Sequence, residues 1–184
     1  MIVFMSISCQ KTTSPEEMVT FIKSYGGQYM DAGYEVIQSS DGGYVIADYT
    51  ESSANNKDVH VFKVDSEGNL VWKRTIVSSD NEVAYDIKQT PDGGYIVAGE
   101  TSSDALLIKL DSQGNVQWQK TIGGTAPDGA RTVTLTDDGG YILCGYTYSM
   151  GAGNADLYLA KTDASGNVQW ERAFGGTDRD GDKV

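Results

Sequence analysis

Four carboxylates recur at one repeated place in this chain, each at the head of a β-rich run that follows a polar link: Asp31, Glu82, Asp128 and Asp180. Carboxylate oxygens are hard donors, so four of them around one opening would suit a divalent cation, calcium above all, or a polar ligand. The plainer use of the same residues is turn chemistry, in which each side chain accepts backbone N–H groups of its own link. Both readings stand at this stage, and no other cofactor is expected. Asp178, Asp180 and Asp182 alternate like the start of a calcium loop, but the remaining ligand spacing and the terminal Glu are missing, and the stretch matches the turn at 126–130 instead. Two candidates for an unrepeated site break the repetition: His60, where the equivalents are Leu106 and Tyr158, and Asp48, where they are Gly99 and Gly145. With no recurring partner beside His60, a nucleophile relay has no support, and no catalytic residue is assigned. His60 is expected to pack between units.

Composition narrows the partners. Lys plus Arg is 14 and Asp plus Glu 26, a formal net charge of −12 over 184 residues. Such a chain repels a phosphate backbone, so no nucleic-acid partner is expected. Two cysteines, Cys9 and Cys144, cannot make a disulfide framework, and one His leaves little room for a His-based metal site. Cys144 stands where other units carry Ala47 and Ala98, so it is expected to be a buried small residue and not a reactive thiol. The 22 glycines fall in short clusters between Tyr, Val and Ile runs, which reads as turns between strands.

The elements that must position these groups come from an internal repeat. DGGY stands at 41–44, 92–95 and 138–141, and a GN pair precedes each of the three tryptophans, as in Gly68/Trp72, Gly114/Trp118 and Gly166/Trp170. A third segment opens on Asp58, Asp104 and Asp156 and carries Lys63, Lys109 and Lys161, then Asp65, Asp111 and Asp163, in step. A period of about 50 residues places the chain among propellers and solenoids. Each unit divides into four short β-rich runs separated by turns, a four-stranded antiparallel meander of strands a, b, c and d. In Thr90-Pro91-Asp92-Gly93 the Pro and Asp suit the centre of a type I turn and Gly93 the left-handed residue after it. Strand b reads as a nearly continuous apolar run, as a central strand covered on both faces should. Trp72, Trp118 and Trp170, with Gly43, Gly94 and Gly140, are structural residues of the repeat, the tryptophans stapling neighbouring units. The three lysines are expected to share weak surface ion pairs with their flanking aspartates.

The expected fold is therefore all-β, a partial β-propeller. Residues 18–25 read as a lone strand d, since Phe21 falls at the tryptophan position and Lys23 on Lys120, although Ser14, Pro15 and Glu17 also resemble a helix start. Three complete blades follow at about 26–76, 77–122 and 123–174, and 175–184 begins another strand a. Three blades fall short of the roughly four or more that close a ring, so further blades or another copy are needed. The stretch from DGG to Trp varies as 31, 26 and 32 residues, whereas that from Trp to the next DGG stays at 20. All the variation lies in the b–c link, which shares one face with the d–a link. Binding is expected on that face, where strand a would bring the four carboxylates to the mouth of the central channel.

These units resemble the DGGY-type blade repeats of bacterial secreted proteins and lipoproteins, common in the Bacteroidetes, over residues 18–184. Asp48, standing where the other units have glycine, departs from the pattern at an expected site of tight packing between blades. One hairpin is also similar to the blades of pyrroloquinoline-quinone enzymes. Residues 1–9, an apolar run with Ser8 before Cys9, resemble the end of a lipoprotein signal peptide, with 10–17 as linker. That resemblance implies an acylated Cys9, a lipid anchor, and a place in the bacterial cell envelope or outside the cell, at the outer membrane. The plain alternative is a frayed apolar terminus. Two functions follow: a non-catalytic, surface-tethered module that binds or scaffolds a protein or glycan, or part of a propeller enzyme, quinone-dependent or carbohydrate-active, whose catalytic residues lie in other blades.

Overall fold

The computed structural model describes residues 5–7, 21–26, 31–53 and 56–176. Three four-stranded antiparallel sheets follow one another along the chain, each a simple meander. The first is β3 (Asp31–Gln38), β4 (Tyr44–Ser53), β5 (Asn56–Val64) and β6 (Leu70–Ile76). The second is β7 (Val83–Gln89), β8 (Tyr95–Glu100), β9 (Ala105–Leu110) and β10 (Val116–Ile122). The third is β11 (Asp128–Leu135), β12 (Tyr141–Thr147), β13 (Asp156–Thr162) and β14 (Val168–Phe174). These are propeller blades, and the fold is all-β. Ahead of them β1 (Met5–Ile7) pairs antiparallel with β2 (Phe21–Lys23).

The side-chain alternation of a strand explains how the middle blade serves two cores. Tyr95, Val97, Leu106, Ile108 and Leu110 turn toward the first blade and join Val45, Ala47, Val59 and Val61 there. Their neighbours Ile96, Ala98, Ala105 and Leu107 turn the other way and meet Ala130, Val133, Tyr141, Leu143, Tyr158 and Ala160 of the third. All six residues of β9 are consequently buried, whereas β12 alternates buried with half-buried, because one of its faces lacks a neighbour among the described residues. The far face of the first blade is partly closed by Tyr25, whose ring lies 5.1 Å from that of Phe62. Lys23 donates to Glu67 O at 2.9 Å and to Asn69 Oδ1 at 2.7 Å. Arg74 treats Gln113 O and Asn115 Oδ1 of the next blade in the same way, at 3.2 and 2.9 Å. Lys23 thus reaches the c–d turn of the first blade as Arg74 reaches that of the second.

The turns behave as their residues require. Gly42, Gly93 and Gly139 hold φ of 87°, 80° and 80°, the left-handed region that glycine enters freely. The next glycine serves a different need. A methyl on Gly94 would stand 2.6 Å from Lys109 Nζ and press into Leu110 O, and Gly140 faces Lys161 Nζ at 2.7 Å and Thr162 O in the same manner. The DGGY glycine leaves room for a lysine that threads in from strand c.

Those lysines correct the sequence expectation. Lys63, Lys109 and Lys161 are buried, at 8%, 5% and 8% exposure, and their partners are the DGGY aspartates Asp41, Asp92 and Asp138 at 2.5, 2.9 and 2.9 Å, not the aspartates that flank them. A long aliphatic stem packed in the blade with its ammonium at a turn is the reason. Asp65, Asp111 and Asp163 instead close the c–d turn, each taking the backbone N–H of Asn69, Asn115 or Asn167 at 2.8 to 2.9 Å. The glycine that Asp48 replaces also has a different role from the one expected. Methyl groups on Gly99 and Gly145 would strike Val83 O and Gly129 O of the same blade, so the close approach is within the blade, opposite strand a, and not between blades.

Candidate functional site

Each strand a contains a bulge at the same point. Pairing slips between Gly33 and Glu35, between Ala84 and Asp86, and between Ala130 and Thr132, so the extra residues are Tyr34, Tyr85 and Arg131. A bulge re-aims the residue it leaves unpaired. Here it brings the three together with Tyr49, Glu100 and Tyr146, which occupy one repeated position on strand b. Tyr34 lies 4.9 Å edge-on to Tyr85 and 6.1 Å from Tyr49. The Arg131 guanidinium stands 4.0 Å over the ring of Tyr85 and 5.1 Å over that of Tyr146, and it bonds Glu100 at 3.0 Å.

Glu100 is the hub. Its Oε1 accepts the Tyr85 hydroxyl at 2.6 Å and its Oε2 the Tyr146 hydroxyl at 2.9 Å. Burial, and then the Glu100 carboxylate, push the Tyr146 phenol up to about 12 and raise Tyr85 further. Both phenols are therefore neutral donors at neutral pH, and Arg131 and Glu100 cancel each other's charge. A cleft of about 570 Å³ opens beside this platform, lined by Glu51 and Lys57 of the first blade, Asn81, Tyr85, Glu100 and Ser102 of the second and its link, and Tyr146 of the third. Lys57 Nζ stands 4.3 Å over the Tyr49 ring. Tyr34 and Tyr148, at 47% and 39% exposure, offer ring surface to solvent.

The cleft lies on the face that carries the b–c and d–a links. Glu82 N donates to Lys57 O at 2.7 Å, Lys57 N to Asn81 Oδ1 at 2.9 Å, and Asp128 N to Ser103 O at 2.8 Å, so the two kinds of link knit together there. Of the four repeated acids, Glu82 and Asp128 are buried, at 2% and 1% exposure. Asp128 Oδ2 accepts Gly124 N and Ser149 Oγ, both at 2.7 Å, which is the turn-capping geometry. Glu82 accepts Gln119 Nε2 at 3.3 Å, and burial, then Asp58 and Asp80, raise its carboxyl. Asp31 pairs with Thr50 at the start of β3. Asp180 and Cys9 lie outside the described residues.

Trp72 and Trp118 pack on the DGGY tyrosines of the following blades, 5.9 Å from Tyr95 and 6.1 Å from Tyr141, while Trp170 is 38% exposed. His60 meets Asp48 across the β4–β5 pair, Nδ1 to Oδ1 at 3.0 Å, and stacks on Phe62 at 5.4 Å. His60 and Asp48, which the sequence set apart, are thus neighbours in one blade. Burial raises the Asp48 carboxyl and His60 opposes the shift. Cys144 is half-buried, and burial raises its thiol.

The Tyr, Arg and Glu platform was not singled out by sequence reasoning. Its signal is present all the same: two repeat columns, Tyr34/Tyr85/Arg131 and Tyr49/Glu100/Tyr146, change residue type within otherwise uniform units. In a repeat protein a variable column on a constant frame is where recognition is written.

No protein family and no curated protein matches the chain. Solved structures do. A protein of unknown function from Bacteroides caccae is similar at 12% identity and a TM-score of 0.47, over 84% of this chain and 70% of that one. A protein provisionally assigned as a gluconolactonase is similar at 14% identity and a TM-score of 0.48, over 86% and 55%. A Synechocystis apocarotenoid oxygenase variant is similar at 15% identity and a TM-score of 0.46, over 75% and 37%. The chain spans about half or less of the length of the last two.

Proposed function

We propose that this chain is a non-catalytic propeller module that binds a neutral, hydroxyl-rich ligand such as a glycan in the cleft beside the Tyr85–Glu100–Arg131–Tyr146 network. The observation that carries the reading is the internal saturation of that network. Arg131 and Glu100 neutralise one another, and the phenols are held protonated, so the network itself presents ring faces and hydroxyls, with Glu51 and Lys57 as the charged side chains of the cleft wall. Sugars are held in this way, their C–H faces on aromatic rings and their hydroxyls on a few placed polar groups.

As part of the same proposal, the chain is a DGGY-type repeat protein of the bacterial cell envelope, tethered through an acylated Cys9. Further blades or another copy complete its ring. The test is calorimetric titration of the full chain with a panel of neutral and acidic oligosaccharides. Neutral sugars should bind, and Tyr85→Ala and Tyr146→Ala, which remove rings that line the cleft, should each weaken them about tenfold, near the roughly 1.4 kcal/mol that a lost ring contact represents. Binding of acidic sugars alone, or of none, would overturn the ligand class.

A second reading, part of a propeller enzyme, is favoured by the His60–Asp48 contact. It requires turnover of a carbohydrate or an alcohol that His60→Ala abolishes while the melting temperature is unchanged.

A further inference from the structure

Two acids are removed from water together at the seam of the first and second blades. Asp58, near the start of β5, is wholly buried; its Oδ1 accepts the Asn56 amide at 3.1 Å and its Oδ2 accepts nothing. Glu82, on the link into β7, is also buried; burial and then the Asp58 charge raise its carboxyl, and its Oε2 has no partner. The next seam repeats the convergence of the two acids, although there Asp128 already accepts Gly124 N, Ser149 Oγ and Ser149 N. Asp104 and Asp128 converge on Gly123, where a methyl would lie 2.6 Å from Asp104 Oδ1 and closer still to Asp128 Oδ2. At the third seam Asp156 is wholly buried, its Oδ1 has no partner, and it fills the space a methyl on Gly175 would need. The pattern even compensates itself: Val77 stands in place of that glycine only at the first seam, where the acid is Glu instead of Asp.

A buried carboxylate oxygen without a partner is costly, and a second carboxylate facing it makes the cost larger. One proton would satisfy a single oxygen. A hard divalent cation draws oxygens from both acids and completes its shell with carbonyls and water. Ser78 O, which Asn56 approaches at 3.4 Å, is one carbonyl already at the first seam. We infer that the blade seams bind a calcium-class cation between the strand c acid and the strand a acid, Asp58 with Glu82 and Asp104 with Asp128. Among the described residues no three acids, histidines or cysteines gather in one place, so each site has two carboxylates. So few charged ligands correspond to the weak range of extracellular calcium modules, about 10⁻⁴ to 10⁻³ M. These seams are separate from the ligand cleft, and the inference does not rest on the glycan reading.

The full chain, stripped with EDTA and dialysed, is titrated at neutral pH with CaCl₂ and, at matched ionic strength, with MgCl₂, following heat and thermal melting. Calcium should raise the melting temperature saturably in the millimolar range, and magnesium should do less. Glu82→Gln combined with Asp104→Asn should abolish the rise, and in EDTA this variant should melt no lower than the parent, since each change relieves a like-charge pair. Asp137→Asn, an exposed aspartate outside the seams, should leave the rise intact. Equal responses to both metals would mean ionic screening, and a rise that persists in the double variant would mean binding elsewhere; either overturns the inference. So does the absence of heat and of any rise in the parent chain. Stabilisation on acidification in EDTA, with no calcium effect, would show the pair sharing a proton instead. The parent titration decides the matter even where a variant fails to fold.

Discussion

Trp72 of the first blade lies 5.9 Å from Tyr95 of the second, and its ring covers the turn of that blade so closely that a methyl on Gly114 would stand 2.7 Å from its six-membered ring. Trp118 repeats the contact on Tyr141 and Gly166. One tryptophan therefore fixes both hairpins on the near face of its neighbour, the a–b turn through tyrosine and the c–d turn through glycine.

The staple predicts an asymmetry among identical substitutions. Trp118→Ala should cost about 3 kcal/mol, the low end for a buried aromatic truncation because the ring is half-buried. Trp170→Ala should cost well under half of that, since 38% of Trp170 is exposed. Urea unfolding of the two variants compares them directly, and equal losses would show that the ring stabilises its own blade and not the next.

The two glycines of one turn should fail for different reasons. Gly93→Ala forces a side chain into a φ of 80° with only Ser112 Cβ near it, at an ordinary 3.9 Å, a local cost of about 1 to 2 kcal/mol. Gly94→Ala drives a methyl at Lys109 Nζ and Leu110 O, an overpacking cost of about 1 to 3 kcal/mol. Shortening the lysine should relieve only the second. Lys109→Ala should therefore partly rescue Gly94→Ala and leave Gly93→Ala unrescued in a double-mutant comparison.

The blades, their turns and the staple were legible because they repeat: DGGY, GN and Trp mark hairpins by chemistry that acts within a few residues. The lysine pairs were misjudged because Asp41 and Lys63 are distant in sequence and meet only through the register of β4 on β5, which brings Val45 opposite Lys63. The aromatic platform was missed for a related reason. Tyr34, Tyr85 and Arg131 sit on bulges, and a bulge reverses the face that alternation assigns. The repeated acids were visible, but their burial was not, since it depends on how two links fold over each other.

Acid should weaken the fold through the DGGY aspartates. The Thr90 hydroxyl, then Lys109, hold Asp92 at about 2, and Lys63 with Ser39 hold Asp41 at about 2, below the usual value near 4. A depressed carboxyl contributes stability above its unfolded value that is lost as pH falls through its folded one, here between about 4 and 2. Solvent exposure of these carboxylates keeps each contribution small. Thr90→Val should lower stability at pH 5 and lose less of what remains on going to pH 2. Parallel urea curves for parent and variant, with unchanged separation, would sink this account.

The platform makes the last prediction through its hub. Glu100 accepts two phenols and one guanidinium, so neutralising it removes the charge that raises Tyr146 while leaving the side chain's shape. In Glu100→Gln the Tyr146 phenol should titrate below its value of about 12, because the hydrogen bond to a carboxylate and the nearby negative charge are both lost, while burial, the largest cause, and Tyr148 still raise it. Arg131 would then stand without its ion pair over Tyr85 and Tyr146, a cation at the edge of the cleft, and the site should gain affinity for acidic sugars as it loses affinity for neutral ones. Alkaline difference spectra of Glu100→Gln with and without Tyr146→Phe isolate the phenol, and the oligosaccharide titration reads the exchange of preference. An unmoved phenol would mean that burial alone sets its value, and a preference that does not change would place the ligand away from Arg131.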